Sequence, residues 1–262
     1  MRTRFVGTSH HADLASASLS ADHPAAVEGR TIFPTRVKSP AEVDRVLVSG
    51  HNNAKLGAFV ETGAWSGMPI LTLTLEERAT CPRTCHHWQS CFGNAMHMAR
   101  RHRHGPELIA QLDEELRYYG RQDKDGFVVR LHVLGDFYSV EYVSAWIRWM
   151  QNIPQLHVWG YTARQRGTEI GNLLAAMNVA FPHRWRMRFS VPQDAPIAPL
   201  QVTTIWRQPE GARVDEGLTC PQSRERLATC GLCGICWQAG KERERIVFTG
   251  HGMRSRPKKE AA

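Results

Sequence analysis

Two rhythms of apolar and polar positions run along the chain from residue 69. Pro69-Ile-Leu-Thr-Leu-Thr-Leu75 alternates apolar and β-branched residues, which predicts a first strand. A cysteine-bearing loop over 80–91 follows, then a helix through Asn94–Arg103 and a second over Pro106–Tyr119. Phe127-Val-Val-Arg-Leu-His-Val-Leu134 reads as strand two, ended by Gly135-Asp136-Phe137. Tyr142, Val143, Trp146 and Met150 recur at helical spacing within Val140–Gln151. Gln155–Thr162 is strand three, Thr168–Val179 a helix, Trp185–Val191 strand four, Leu200–Trp206 strand five and Arg245–Thr249 strand six. Residues 1–40 carry neither period and read as a mobile or loosely docked arm.

Strands alternating with helices imply right-handed βαβ units and a parallel sheet. A parallel strand covered by helices on both sides is apolar on both faces. Here Arg130 and His132 share a face of strand two, His157, Trp159 and Tyr161 a face of strand three, and Arg186, Arg188 and Ser190 a face of strand four. One polar face per strand predicts a lumen that holds a polar ligand. The expected fold class is therefore α/β, a partial (β/α)6 TIM-like barrel with a cysteine-rich insert between strands five and six. Its expected parts are the arm (1–40), the barrel with the first cysteine loop (41–215), the insert (216–240), and the last strand with a basic tail (241–262). Arg130 and His132 are the candidate substrate contacts.

Composition narrows the function classes. No apolar run approaches the roughly 18 residues of a membrane span, and the N-terminus lacks the apolar segment of a secretory signal, so the expectation is a cytoplasmic protein with no membrane partner. The formal net charge of +8 favours an anionic partner, a small molecule or a nucleic acid, with basic residues gathered at Arg100–Arg103 and in the tail Arg254-Ser-Arg-Pro-Lys-Lys259. The chain carries no P-loop, no Gly-x-Gly-x-x-Gly, no Gly-x-Ser-x-Gly and no His-Glu-x-x-His, which leaves nucleotide hydrolysis, serine hydrolysis and zincin chemistry unsupported.

The 7 cysteines carry the chemistry. An odd number, in clusters and without an export signal, points to metal or cluster ligation rather than to disulfides. Cys81, Cys85 and Cys91 lie within one loop directly after the first strand. Three thiolates leave one coordination position open, the condition for chemistry at a metal, unless His86 or His87 completes a structural zinc site. Cys220, Cys230, Cys233 and Cys236 supply a complete set of four. The two-residue gaps of the last three match iron–sulfur spacing, with four-cysteine zinc as the alternative.

A three-cysteine loop after strand one of such a barrel resembles the radical S-adenosylmethionine (SAM) superfamily. More closely, Leu73-Thr-Leu-Glu-Glu-Arg-Ala-Thr-Cys-Pro82, Cys91-Phe-Gly-Asn94 and Leu134-Gly-Asp-Phe-Tyr138 resemble a divergent branch of it borne by phages and mobile elements. The resemblance implies a [4Fe–4S] cluster on Cys81, Cys85 and Cys91, with SAM on the open iron and a reducing electron donor. SAM would be cleaved to a 5′-deoxyadenosyl radical. It implies that Gly135, Asp136 and Phe137 meet the SAM amine, that Ser190 and Arg188 meet its carboxylate or ribose, and that Tyr161 stacks on a ring. Cys220, Cys230, Cys233 and Cys236 would hold a second, auxiliary [4Fe–4S] cluster or zinc. The sequence departs from the superfamily's pattern in the five-residue gap before Cys91, in Phe92 following that cysteine rather than preceding it, and in Asp136 for the usual Glu. Two rivals make no turnover: a zinc-stabilised nucleic-acid-binding protein, and an iron–sulfur redox or sensing module.

Overall fold

A computed structural model describes residues 18–53, 55–205, 217–221 and 229–249. The chain builds one main sheet of eight strands: β2 (Val48–Ser49), β3 (Ile70–Thr72), β5 (Phe127–Leu131), β6 (Leu156–Thr162), β7 (Trp185–Ser190), β8 (Gln201–Ile205), β10 (Ile246–Thr249) and β9 (Leu218–Thr219), in that spatial order. β2 runs antiparallel to β3, and every other neighbouring pair is parallel. The six strands read from the sequence are β3, β5, β6, β7, β8 and β10, and they lie side by side in chain order. Among the described residues the sheet stays open, with β2 and β9 at its edges. A separate two-stranded ribbon pairs β1 (Val37–Lys38) with β4 (Arg101–His102).

The helices pack on one face. α2 (Pro106–Gln122), α3 (Val140–Asn152) and α4 (Glu169–Ala180) begin where the sequence provides starts: Pro106 at the first position, Ser139 capping the Tyr142 amide at 3.2 Å, and Thr168 capping the Gly171 amide at 3.2 Å. Leu108, Leu112 and Leu116 of α2, Tyr142 and Trp146 of α3 and Leu174 of α4 bury against Val129, Leu131, Val158, Trp185 and Met187. Gly160 is required where β6 crosses β5, since a Cβ there would sit 1.6 Å from the Leu131 carbonyl oxygen.

The opposite face is covered by the chain itself. Trp159 packs on Trp237 (4.7 Å between centroids), Trp237 stacks on Trp65 (5.9 Å), Trp65 meets His157 (5.1 Å), and Tyr161 meets Phe248 (5.2 Å). The polar face of β6 and β7 thus looks onto the cysteine-rich segment and residues 55–68 rather than onto free space.

Three expectations are corrected. Residues 18–40 are not a loose arm: α1 (Pro24–Glu28) docks on the first cysteine loop, β1 pairs with β4, Thr31 is buried, and Trp88 donates to the Ala26 carbonyl at 3.1 Å. Residues 1–17 and the basic tail lie outside the described residues. No helix spans Asn94–Arg103, which is a 3-10 turn (Phe92–Ala95) followed by β4. The Arg101 guanidinium takes the carbonyls of Gly93, Met96 and Ala99, acceptors that a helix would have given to its own amides. Arg130 and His132 do not share a face either. β5 ends at Leu131, and His132 turns to the helical side, with Nε2 3.0 Å from the Tyr142 hydroxyl.

Candidate metal centres

The first centre hangs from the carboxyl end of β3. Its loop is organised around a buried ion pair, Glu77 with Arg101 (2.6 Å), both side chains fully shielded from solvent. Thr31 donates to the same carboxylate at 2.7 Å. Arg78 is the loop's second strut: from a left-handed backbone (φ 65) it donates to the carbonyls of Trp88 and Arg30 and, at 2.6 Å, to the Asn94 amide oxygen. Asn94 in turn donates to the Gln89 carbonyl at 2.9 Å. These contacts fold residues 77–94 back on themselves and bring Cys81, Cys85 and Cys91 within electrostatic reach of one another.

Burial dominates their chemistry. It pushes the Cys81 thiol well above its ordinary range, helped by the Asp136 carboxyl and the other two thiols. Cys85 rises to about 11 and Cys91 also rises, both chiefly from burial. Without a cation all three stay protonated, and a metal centre is the partner that lets such thiols ionise. Arg78 also faces Cys85 and Cys91, while its hydrogen bonds go only to neutral acceptors.

Asp136, the candidate contact to the SAM amine, is held within the protein. One carboxylate oxygen accepts from the Phe137 amide and the Thr162 hydroxyl (2.7 Å each), the other from the Ala163 amide at 2.7 Å. Burial raises its carboxyl to about 6 against these bonds. It ties the loop after β5 to the loop after β6, and Arg164 completes the tie by donating to the Phe137 and Thr80 carbonyls. Gly135 and Phe137 flank it, and half-buried Ser190 ends β7.

The second centre sits on the polar face of the sheet. α5 (Cys230–Cys233) is capped by Thr229, whose hydroxyl accepts from the Leu232 amide at 3.1 Å, and it ends on Gly234 in a left-handed conformation. The Cys230 and Gly231 amides donate to the carbonyls of Lys55 (2.7 Å) and Leu56 (2.9 Å). Gly231 is obligatory there, because a Cβ would lie 2.1 Å from the Phe59 carbonyl oxygen. Arg188, fully buried, donates to the carbonyls of Cys236 (3.0 Å), Glu244 and Lys241 (2.8 Å each). The Tyr161 hydroxyl lies 2.9 Å from the Cys236 sulfur. Cys220, Cys230, Cys233 and Cys236 all interact electrostatically, and burial raises Cys230 to about 12 and Cys236 to about 11.

Arg130 supplies the test of what this centre holds. Its guanidinium is buried over the rings of Tyr161 (4.3 Å) and Trp159 (4.6 Å), and its hydrogen bond goes to the Leu131 carbonyl. Among the described residues it makes no ion pair; the ionisable groups that face it are Tyr161, Cys236 and Cys230. A buried guanidinium with no counter-charge is expensive. Four thiolates around zinc or around an oxidised four-iron cluster carry a net double negative charge, which Arg130 and Arg188 together balance. The residues fit such a group. Arg130, Arg188 and Tyr161, read from the sequence as substrate or SAM contacts, surround the second centre instead.

Among the described residues, no group of three or more His, Cys, Asp or Glu side chains is drawn tightly around a single ion. The His86 and His87 rings meet at a tilt, with centroids 4.2 Å apart, and burial lowers His87 to about 4. Sequence reasoning missed Arg78, Arg101, Asn94, Thr31 and Arg164. No local pattern marks them, since the partner of Glu77 is 24 residues away.

The model of the family described as Gene product 88 matches residues 46–239, from just before β2 to just past the last cysteine. No curated protein and no solved structure matches the chain.

Proposed function

The chain belongs to the Gene product 88 family, and from that premise we propose that it is an iron–sulfur enzyme of the radical SAM type with an auxiliary metal–thiolate centre. The observation that carries the reading is the convergence of three half-buried thiols at the carboxyl end of the first parallel strand, with no fourth cysteine in their loop. Ligands of open α/β sheets bind at that end of the strands. Cys81, Cys85 and Cys91 hold the cluster, and Cys220, Cys230, Cys233 and Cys236 hold the second centre. When bound, the first cluster supplies reductive cleavage of SAM, and the protein orients the reactants and excludes water.

The chain's own residues divide that work. Asp136 and Arg164 fix the loops after β5 and β6 in one position, with the Asp136 carboxyl within electrostatic reach of Cys81. Arg78 faces Cys85 and Cys91 as a fixed positive charge. Arg188 fastens the auxiliary segment to β7.

The test is protein purified without oxygen, assayed for iron, sulfide and zinc, then given dithionite and SAM. The expected result is about eight iron and eight sulfide per chain and release of 5′-deoxyadenosine. Cys81→Ala should abolish that release and leave about four iron. Colourless protein that contains zinc and takes up no iron on anaerobic reconstitution overturns the reading and favours the nucleic-acid-binding rival. Iron and sulfide at both centres without SAM cleavage leaves the redox or sensing module.

A further inference from the structure

The β1–β4 ribbon presents cations with nothing to neutralise them. Val37 pairs with Arg101 and Lys38 with His102, and the Arg103 amide donates to the Lys38 carbonyl at 2.8 Å. Arg101 and His102 turn inward and are buried, and Arg101 is satisfied by Glu77. Arg36, Lys38, Arg100 and Arg103 stay exposed. Among the described residues none of these four makes an ion pair, and Arg36 reaches only the Met98 sulfur, at 3.6 Å. The acidic groups that border the ribbon have other partners: Glu77 holds Arg101, Glu76 accepts from the Thr31 amide at 3.2 Å, and Glu42 and Glu107 are taken up by Ser39. The arrangement is local: the exposed face of α2, by contrast, pairs Arg117 with Asp113 at 2.7 Å.

A second feature adjoins the ribbon. The Arg101 guanidinium holds the Gly93 carbonyl, and next to it Phe92 is 51% exposed, with the Lys55 ammonium 5.5 Å from its ring centroid. An exposed aromatic with an ammonium over its face, carried by the loop that the ribbon's Arg101 holds, is the pairing that single-stranded nucleic acid uses, backbone phosphates on the cations and a base on the ring. A purely acidic protein surface would have no use for the ring.

We propose that the β1–β4 ribbon and Phe92 form a docking face for single-stranded nucleic acid beside the first cysteine loop. The inference concerns binding alone and holds whether or not the first centre cleaves SAM.

The test uses the full chain, purified without oxygen, and fluorescence anisotropy with a labelled thymidine 20-mer between 50 and 300 mM salt. Each phosphate contact contributes about 0.7 to the slope of log affinity against log salt for a single strand. Replacing Arg36, Lys38, Arg100 and Arg103 with Gln should lower that slope by about 2.8 and weaken binding at 0.1 M salt several hundredfold. Phe92→Ala should weaken binding about tenfold or more with the slope unchanged, since stacking is not a salt-dependent term. The control set Arg121→Gln, Lys124→Gln and Arg148→Gln, together with neutral replacement of Arg254, Arg256, Lys258 and Lys259, should leave most of the slope. Circular dichroism and metal content of each variant guard against misfolding. Absence of wild-type binding at 50 mM salt, a slope that survives the ribbon replacement, or competition by polyglutamate as strong as that by unlabelled DNA would each overturn the proposal.

Discussion

Cys81, Cys85 and Cys91 hang from a loop whose supports are themselves loops, whereas Cys220, Cys230, Cys233 and Cys236 are pressed against strands. Around the first group, fixity comes from charge: Glu77 with Arg101, and Arg78 on carbonyls brought in from residues 30 and 88. Around the second it comes from packing, with Trp65, Trp159 and Trp237 in contact and Tyr161 and Arg188 reaching from β6 and β7. A site built of polar struts keeps one side open to solvent, and a cleft of about 510 Å³ lies there, bounded by Arg83, Cys85, His86, Trp88 and Val27. The second group is instead wrapped on its sheet side by packed rings. Three thiols lie in the open loop and four in the wrapped segment, the numbers expected of a reactive and of a fully ligated centre.

The comparison breaks most visibly at its two anchors. Glu77→Gln leaves the Arg101 guanidinium buried without its counter-charge, and removing one partner of such a pair costs about 3–5 kcal/mol. Arg188→Met strips a donor from three carbonyls, at a cost of about 3 kcal/mol. Denaturant unfolding should show both losses. Metal content should separate them: Glu77→Gln loses iron at the first centre, and Arg188→Met loses metal at the second. If either variant empties both centres equally, the two regions are one cooperative unit and the distinction fails.

Acid sharpens the same contrast on a smaller scale. Burial, with Arg100 nearby, lowers His102 to about 4 in the ribbon that braces the first loop. The unfolded chain takes up that proton near pH 6.5 and the fold resists it, so the contribution of His102 is complete above pH 6.5. It is lost at about 1.4 kcal/mol per pH unit as pH falls towards 4. His132, lowered to about 3 by burial, adds a term of the same sign beneath α3. Hydrogen exchange at pH 7 and 5.5 should therefore show the ribbon and residues 76–102 losing protection before residues 230–238. His102→Gln should flatten that difference, and uniform loosening in the wild-type chain would erase it.

Legibility in the sequence followed the range of the interactions. The strands β3, β5, β6, β7, β8 and β10 and the helices α2, α3 and α4 are readable because their periods are local, and the N-caps Ser139 and Thr168 stand within three residues of the amides they satisfy. The cysteine groups were readable from spacing alone. Partners were not. Arg101 looked like one turn of a basic helix because its acceptor, Glu77, lies before the loop, and no pattern between 92 and 103 records that it will consume three carbonyls. The alternation that placed Arg130, Tyr161 and Arg188 on one face was correct, but alternation says which way a side chain points and not what it meets. The face expected to line a lumen for substrate is occupied by the chain's own cysteine segment. Residues 18–40 looked featureless because their order comes from docking on the cysteine loop rather than from any period of their own.

The smallest expected effect bears on why the second centre is so heavily wrapped. Tyr161 donates to a cysteine sulfur there, from its hydroxyl to Cys236 at 2.9 Å. Tyr161→Phe keeps the ring over which Arg130 sits and the contact with Phe248, and deletes only the hydrogen bond, at a cost of about 1 kcal/mol. The consequence at a metal is more specific than that figure. A hydrogen bond withdraws electron density from the sulfur, and its loss makes the thiolate a stronger donor and an iron cluster harder to reduce. The variant should hold its metal and unfold within about 1 kcal/mol of the parent, yet show a lower reduction potential at the second centre, read by redox titration in the Cys81→Ala background so that the first cluster does not contribute. An unchanged potential would mean that the hydroxyl only fills space beside Cys236, and that Arg130 and Arg188 alone set the electrostatics of the second centre.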